Sequence, residues 1–198
     1  MKQFFVATTN EGKLKEFQEI FRELNIEIKS LFEHFPEADD VEETGTTFAE
    51  NALLKAETYS QQFQVPVLAD DSGLTVDALN GEPGVYSARY AGLEKNDQKN
   101  LEKVLEKLKD VPKEKRTAAF VCTIAFAEPG EETIVVEGKC QGIIAKEPKG
   151  TEGFGYDPIF IPDGYDETLA QLGAHIKNKI SHRRRALDKI VEKLKEKV

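Results

Sequence analysis

Short apolar runs alternate with amphipathic helical patterns along this chain, and that alternation restricts its fold more than any other feature. Residues 3–8, 26–31 and 65–70 are apolar runs with the length of buried strands. Between them, apolar side chains repeat at helical spacing over residues 11–24 and again over 48–63. Helices that alternate with strands in this way bury their apolar faces against a sheet. The first part of the chain therefore predicts an α/β fold.

The second part of the chain adds a β-hairpin and further helices to this pattern. Pro129-Gly130 separates two β-rich runs and is a pair typical of turns. Taken together, the patterns predict a mixed β-sheet with flanking helices, arranged as two lobes with a cleft, in one domain over residues 1–198. The predicted elements of this part are a helix around 101–108, strands at 117–128, 132–145 and 158–161, and helices at 167–177 and from Ser181 onward.

The composition is that of a globular protein in water. Hydrophobic residues make up 39% of the 198 residues, and no apolar stretch approaches the roughly 20 residues of a membrane helix. Met1-Lys2-Gln3 leads directly into Phe4-Phe5-Val6-Ala7, which is too short for the apolar core of a signal peptide. We therefore expect a cytoplasmic protein with no membrane partner. Cys122 and Cys140 lack metal-type spacing, and reduced structural thiols are expected there.

The formal net charge of −9 argues against nucleic acid as a partner. Proteins that track a phosphate backbone need a basic surface, because each phosphate contact replaces condensed counterions. An anionic ligand of this chain must therefore be met by a local group of cations.

Two adjacent carboxylates, Asp70 and Asp71, follow the apolar run Val67-Leu68-Ala69 and precede Ser72-Gly73. This order predicts that they lie where a strand meets a turn. Burying either carboxylate without a partner is costly, and a hard cation such as Mg²⁺, which prefers oxygen ligands, would remove that cost. A solvated turn explains the same residues, since Asp, Ser and Gly are ordinary turn residues.

A predicted strand-to-helix junction carries the sequence TTNEGK at residues 8–13. Free backbone N–H groups and the positive end of a helix make such a junction suitable for an anion. Lys13 in the first helical turn is electrostatically unfavourable unless an anion lies beside it. Simple capping of the helix by Thr8 or Asn10 is the alternative.

The second predicted helix carries a polar stripe of Thr47, Asn51 and Lys55 opposite its apolar face. A stripe of this kind is usually a solvated face, but the carboxylates of the next strand make it a candidate wall of the same site. Glu42 and Glu43 precede this helix and are candidates for a third carboxylate, with ordinary loop charge as the alternative.

The last third of the chain has residue types that bind a planar base. Phe154 lies between two glycines, so its ring has an open face for stacking, although Phe154 and Tyr156 also suit a core. Ser181 is a candidate N-cap for the last helix, and cations at a helix N-terminus favour an acceptor-rich ligand. We expect His182 and Arg183 to face the cleft together with Lys177, while Arg184 and Arg185 fit a solvated face.

Several motifs occur in the order seen in a known enzyme family. They are TTNEGK, EETGTTFAENALLKA, LADDSGL, GVYSARY, TEGFGYDPIF and SHRRRAL, and they extend over nearly the whole chain. The chain resembles the inosine/xanthosine triphosphate pyrophosphatases. The resemblance implies hydrolysis of dITP, ITP and XTP to the nucleoside monophosphate and pyrophosphate. It also implies Mg²⁺ as cofactor, a homodimer, and an elongated mixed sheet split by a substrate cleft.

The same resemblance assigns roles to individual residues. It implies that Asp71 is metal ligand and general base, with Glu42 as second metal ligand; Asp70 and Glu43 are the respective alternatives. The residues that it implies for binding the nucleoside triphosphate are Thr8, Thr9, Asn10, Glu11, Gly12, Lys13, Lys55, Ser72, Phe154, Gly155, Tyr156, Asp157, Lys177, His182 and Arg183.

Two other functions stay open at this point. One is a related pyrophosphatase that removes a different altered nucleotide. The other is a non-catalytic nucleotide sensor, against which the carboxylates argue, because they would repel a triphosphate unless a metal were present.

Overall fold

The computed structural model describes residues 2–197 and contains one mixed sheet over that range. The strands in chain order are β1 (Lys2–Val6), β2 (Ile26–Ser30), β3 (Val67–Val76), β4 (Thr117–Ala127), β5 (Ile134–Ile144) and β6 (Phe160–Pro162). Their order across the sheet is β2-β1-β3-β4-β5-β6. Strand β1 pairs in parallel with both β2 and β3, whereas β5 and β6 are antiparallel. The predicted mixed α/β sheet is confirmed.

The helices lie close to where the apolar periodicity predicts them. They are α1 (Glu11–Arg22), α2 (Leu31–His34), α3 (Phe48–Phe63), α4 (Asp97–Lys107), α5 (Leu169–Ile180) and α6 (His182–Lys197). The short α2 is not among the elements predicted from sequence, and Ser30 caps it by accepting from the Glu33 N–H. Gly173 interrupts α5 with a non-helical backbone conformation. No helix within residues 2–197 is both long and apolar enough to cross a membrane.

Strand β3 corrects one prediction, because Asp70 and Asp71 lie inside it rather than where it meets a turn. The strand continues through Ser72 and Gly73 to the fully buried Leu74 and Val76. Asp, Ser and Gly favour turns locally, but pairing with neighbouring strands and burial of the following apolar residues outweigh that preference.

The chain divides into two compact units. The first comprises the described parts of Met1–Asp71, Cys122–Gly138 and Arg185–Val198. In this unit, alternate residues of β1 enter different cores, as expected for side chains that point to opposite faces of a strand. Phe4 packs in a core with Phe17 and Phe21 of α1, whereas Phe5 packs in a core with Ala52 and Ala56 of α3.

The second unit comprises Ser72–Val121 and Lys139–Arg184. Its core joins Leu74 and Val76 of β3 to Leu101 and Val104 of α4, and Tyr156 belongs to the same cluster. Cys122 of the first unit and Cys140 of the second are buried and form no disulfide. The single domain and the central cleft stay predictions.

Candidate active site

The junction of β1 and α1 in the first unit is a capped helix start. The Asn10 side chain accepts from the Lys13 N–H at 3.0 Å, and the Thr8 hydroxyl accepts from the Asn10 N–H at 3.1 Å. A Cβ on Gly12 would lie 3.2 Å from Asn10 Oδ1, so a small residue suits this turn. The capping interpretation is confirmed. Phosphate binding by residues 8–13, including Thr9 and Glu11, stays a prediction.

Lys13 has an anionic partner within the protein. Its Nζ lies 2.8 Å from Asp70 Oδ2, and the Asp70 side chain is only 2% exposed. The sequence argument that Lys13 needs an anion beside it is therefore met by a strand carboxylate, and its position alone does not require a ligand.

The polar stripe of α3 is only partly solvated, because Thr47 is exposed, Lys55 is half-buried and Asn51 is buried. Thr47 caps the helix by accepting from the Glu50 N–H. Asn51 is 1% exposed, and it joins two segments by donating to Asp71 Oδ2 at 3.0 Å and accepting from the Gly45 N–H at 2.8 Å. A Cβ on Gly45 would collide with the Asn51 amide, so a glycine is required at this approach.

Lys55 is held by two acceptors of the first unit. Its ammonium group donates to Glu43 Oε1 and to the Asp70 carbonyl, each at 2.7 Å. Burial lowers the pKa of Lys55, but the charges of Asp70, Glu43 and Asp71 outweigh burial and raise it above its ordinary value. Lys55 is therefore a permanent positive charge at neutral pH.

Asp71 has a pKa that is clearly displaced from its ordinary value. Burial raises the pKa of Asp71 from 3.8 to about 6, although the Asn51 hydrogen bond and the charge of Lys55 oppose the change. The negative charges of Glu43 and Asp70 add to the increase. A perturbed carboxylate of this kind is a common mark of a functional site.

The two candidate glutamates differ in their surroundings. Glu43 is half-buried and contacts Lys55, whereas Glu42 is exposed. The geometry therefore brings Glu43, rather than Glu42, into the carboxylate cluster. The role of Glu42 as a metal ligand stays a prediction.

The oxygen donors of this cluster fit a hard cation. Glu43, Asp70 and Asp71 bring three carboxylates against the two ammonium groups of Lys13 and Lys55, which leaves an excess of negative charge. Across residues 2–197, no set of three or more His, Cys, Asp or Glu side chains is arranged to hold a metal by itself. Mg²⁺ is commonly bound by one or two carboxylates completed by substrate phosphates, so a closed protein cage is not required.

The aromatic segment of the second unit, residues 154–157, combines an exposed ring with a buried one. The Phe154 ring is 61% exposed, as expected for a stacking surface. Tyr156 is buried, and its hydroxyl donates to the Ser87 carbonyl at 2.6 Å. Tyr156 is therefore a core residue, which was the alternative to base binding. Burial raises the pKa of Tyr156, which keeps the hydroxyl protonated as a donor.

Asp157 and Lys177 form a partly buried ion pair beside Phe154. Lys177 Nζ lies 2.6 Å from Asp157 Oδ2 and 4.2 Å from the centre of the Phe154 ring. Asp157 also accepts from the Phe154 N–H at 3.1 Å. A Cβ on Gly153 would collide with the Asp157 carboxylate, which explains the glycine before Phe154. Asp157 thus fixes both the loop and the lysine.

Arg184 and Arg185 lie on an exposed face at the start of α6, as predicted, whereas the cleft-facing positions of His182 and Arg183 stay predictions. Ser181 caps the helix by accepting from the Arg184 N–H at 3.1 Å. His182 stacks on Phe120 with ring centres 5.1 Å apart, and Arg183 is buried, whereas Arg184 and Arg185 are exposed. Ser72 is half-buried in β3, and its contact with substrate stays a prediction.

Residues of the predicted site form one cluster of contacts within each unit. The first unit joins Lys13 and Lys55 to its carboxylates, and the second unit joins Lys177 and Asp157 to the aromatic segment. Sequence reasoning treated Asn51 only as part of a polar stripe and missed its bridge between Gly45 and Asp71. Its place between Thr47 and Lys55 on one helix face was the available signal.

Comparison with known proteins gives consistent matches over nearly the whole chain. Residues 4–193 match the model of the Ham1 family. The dITP/XTP pyrophosphatase of Halalkalibacterium halodurans is 56% identical over 96% of this chain and 97% of its own length. That of Geobacillus kaustophilus is 54% identical over 99% of this chain and 96% of its own length. The solved Ham1 protein of Staphylococcus aureus superposes with a TM-score of 0.93, at 45% identity and full coverage of both chains.

Proposed function

The chain belongs to the Ham1 family, and on that premise we propose that it hydrolyses the non-standard purine nucleoside triphosphates dITP, ITP and XTP. The products are the nucleoside monophosphate and pyrophosphate, and the reaction removes these nucleotides from the cellular pool. The observation that carries the proposal is the 56% identity to a dITP/XTP pyrophosphatase over 96% of this chain.

The carboxylates and lysines of the first unit suit attack of water on the α-phosphorus. We propose Mg²⁺ as the cofactor, held by Asp71 and Glu42, where it would neutralise phosphate charge. Asp71 orients the attacking water and takes its proton while the bond to the pyrophosphate group breaks. Without a metal, burial raises the pKa of Asp71 to about 6, and a cation bound beside it would lower that pKa, so the carboxylate is ionised as a base at neutral pH.

Lys13 and Lys55 are proposed to hold the departing pyrophosphate. Lys55 is already directed by Glu43 and the Asp70 carbonyl, so little ordering of its long side chain remains when a phosphate binds. Lys13 exchanges its bond to Asp70 for one to a phosphate oxygen, and the N–H groups of Glu11 and Gly12 in the first turn of α1 add donors.

The second unit is proposed to recognise the purine base. Phe154 offers its exposed ring for stacking, and Lys177, His182 and Arg183 supply donors to the oxygen at purine position 6. Adenine has an amino donor at that position, so two buried groups lose their partners at a cost of about 1–3 kcal/mol each. Guanine keeps this oxygen, and we propose that the segment Phe154, Gly155, Tyr156 and Asp157 excludes its 2-amino group.

A homodimer and a cytoplasmic location complete the proposal. The family resemblance of the motifs supports the dimer, and the composition supports the location.

The test is phosphate release from a panel of nucleotides, with and without added inorganic pyrophosphatase and Mg²⁺. We expect phosphate only when the added enzyme is present, and faster turnover of dITP, ITP and XTP than of GTP or ATP. Phosphate without the added enzyme contradicts the proposed bond cleavage. Binding of ITP without any product indicates a sensor, and faster turnover of another altered nucleotide indicates a related pyrophosphatase.

A further inference from the structure

Successive residues of the aromatic segment are each held by a different hydrogen bond within the second unit. The Phe154 N–H donates to Asp157 Oδ2 at 3.1 Å. The Gly155 N–H donates to Asp97 Oδ2 at 3.0 Å. The Tyr156 hydroxyl donates to the Ser87 carbonyl at 2.6 Å. Of these acceptors, only Asp97 is a side chain supplied from outside the segment itself.

Asp97 is exposed, but the helix that carries it is anchored in the core. It is the first residue of α4, whose Leu101 and Val104 are buried in the core of the second unit. Asn100, which is 2% exposed, fixes the same end of the helix by donating to the Ala88 carbonyl and accepting from the Ala91 N–H. A carboxylate in a first helical turn is favoured by the helix dipole, but that preference does not explain a bond to a glycine 58 residues away.

The segment that receives this bond has little stiffness of its own. Gly153 and Gly155 flank Phe154 with φ values of +78° and +60°, in the region that favours glycine. Phe154 is 61% exposed, and Lys177 Nζ lies over its ring at 4.2 Å from the ring centre. The direction of the ring therefore depends on that lysine and on the backbone bonds on either side of it.

We propose that Asp97 is a positioning residue that sets the direction of the Phe154 ring through the Gly155 N–H. The inference rests on the proposed function in taking a purine base as the ligand of that ring. None of the hydrogen bonds described for Asp97 involves the residues assigned to phosphate chemistry, so its loss weakens substrate binding and leaves the chemical step nearly unchanged.

A fluorescence experiment tests this positioning without any nucleotide. The chain has no tryptophan, so Phe154→Trp gives a single reporter on the segment. We expect Asp97→Ala in that background to lower the fluorescence anisotropy and to increase acrylamide quenching roughly twofold, because the segment opens locally. Asn96→Ala is the matched control, since Asn96 caps the same helix through the Lys99 N–H and has no bond to the segment. Equal signals from the two double variants would overturn the proposal.

Steady-state kinetics provide the second measurement, on variants that keep Phe154 rather than the tryptophan reporter. We expect Asp97→Ala to raise KM for XTP by roughly 3-fold to 10-fold with kcat within about twofold, as for loss of one hydrogen bond. Asp97→Asn keeps an acceptor oxygen, so its KM for XTP should lie close to that of the wild type. Asn96→Ala should also have a KM close to that of the wild type. A fall confined to kcat, or equal losses in Asp97→Asn and Asp97→Ala, would contradict the assignment. A wild type that releases no pyrophosphate refutes the proposed function, while the fluorescence result still decides the role of Asp97.

Discussion

The two charged clusters of the molecule differ in how completely their charges are balanced. In the first unit, the carboxylates of Glu43, Asp70 and Asp71 lie with the ammonium groups of Lys13 and Lys55, and the pKa of Asp71 is raised to about 6. This cluster has negative charge in excess of its own cations. A cation from outside would stabilise it.

The cluster of the second unit is balanced by its own residues. Asp157 is 3% exposed, pairs with Lys177 at 2.6 Å and accepts the Phe154 N–H. Neighbouring hydrogen bonds to Ser87 and Asp97 hold the rest of the segment. Its geometry is set before any ligand arrives.

This difference suggests that one cluster is ordered by its own residues, whereas the other is completed by its ligands. The balanced cluster presents a fixed surface, so substitutions there should change which base is accepted. The unbalanced cluster is completed by its ligands, so substitutions there should change turnover and charge-dependent stability instead.

Asp71→Asn should have the largest effect, because it keeps the shape of the side chain and removes both its charge and its basicity. We expect kcat for ITP to fall by roughly 10²–10⁴-fold, which is typical of losing a general base. Steady-state assays should be paired with circular dichroism to show that the fold is kept.

Asp70→Asn is the matched control for that change. Asp70 is bonded to Lys13, so its substitution should cost less activity than that of Asp71. If Asp70→Asn is the more damaging variant, the two carboxylates have exchanged roles.

Lys55→Ala should rank next in effect. The residue is bonded to Glu43 and to the Asp70 carbonyl, and it is proposed to hold the leaving group. We expect a loss of roughly 10²-fold in kcat/KM, similar for every purine, and a comparable loss for Lys13→Ala. Lys55→Arg, which keeps the charge, should recover part of the activity. A change in the ratio of ITP to GTP turnover would place the lysine at the base instead.

Elements with strong local signals were predicted well from sequence. The apolar periodicity of α1 and α3, and the caps Asn10 and Ser181, depend on residues within a few positions of each other. The family resemblance carried by the motifs is confirmed by the match over residues 4–193.

Features that depend on distant residues were not predicted. The bond from Lys13 to Asp70 spans 57 positions, and that from Gly155 to Asp97 spans 58. The error at β3 has the same origin, because its turn-like residues are held extended by partners elsewhere in the chain. Local preference carries no information about such partners.

Substitutions of His182 and Arg183 in the second unit should change the selectivity among purine nucleotides. We expect His182→Ala and Arg183→Ala to lower kcat/KM by roughly 10-fold for ITP and XTP and to affect ATP much less, because ATP lacks the acceptor at position 6. The measurement is kcat/KM for ITP, XTP, GTP and ATP in each variant. Equal losses on all four nucleotides in both variants would refute the assignment of these residues to the base.

The smallest predicted effect is a pH-dependent change in stability at Asp71. The folded pKa of about 6 exceeds the ordinary value of 3.8, so the folded protein holds this proton more tightly than the unfolded chain does. The stabilisation is complete below about pH 4 and is lost as the pH rises through about 6. In metal-free buffer, Asp71→Asn should therefore gain up to about 2 kcal/mol of unfolding free energy over the wild type above pH 7. Urea unfolding at several pH values measures the difference, with Asp110→Asn as the control because Asp110 is exposed. Parallel pH profiles for Asp71→Asn and the wild type would mean that the Asp71 carboxylate carries no uncompensated charge in the folded protein.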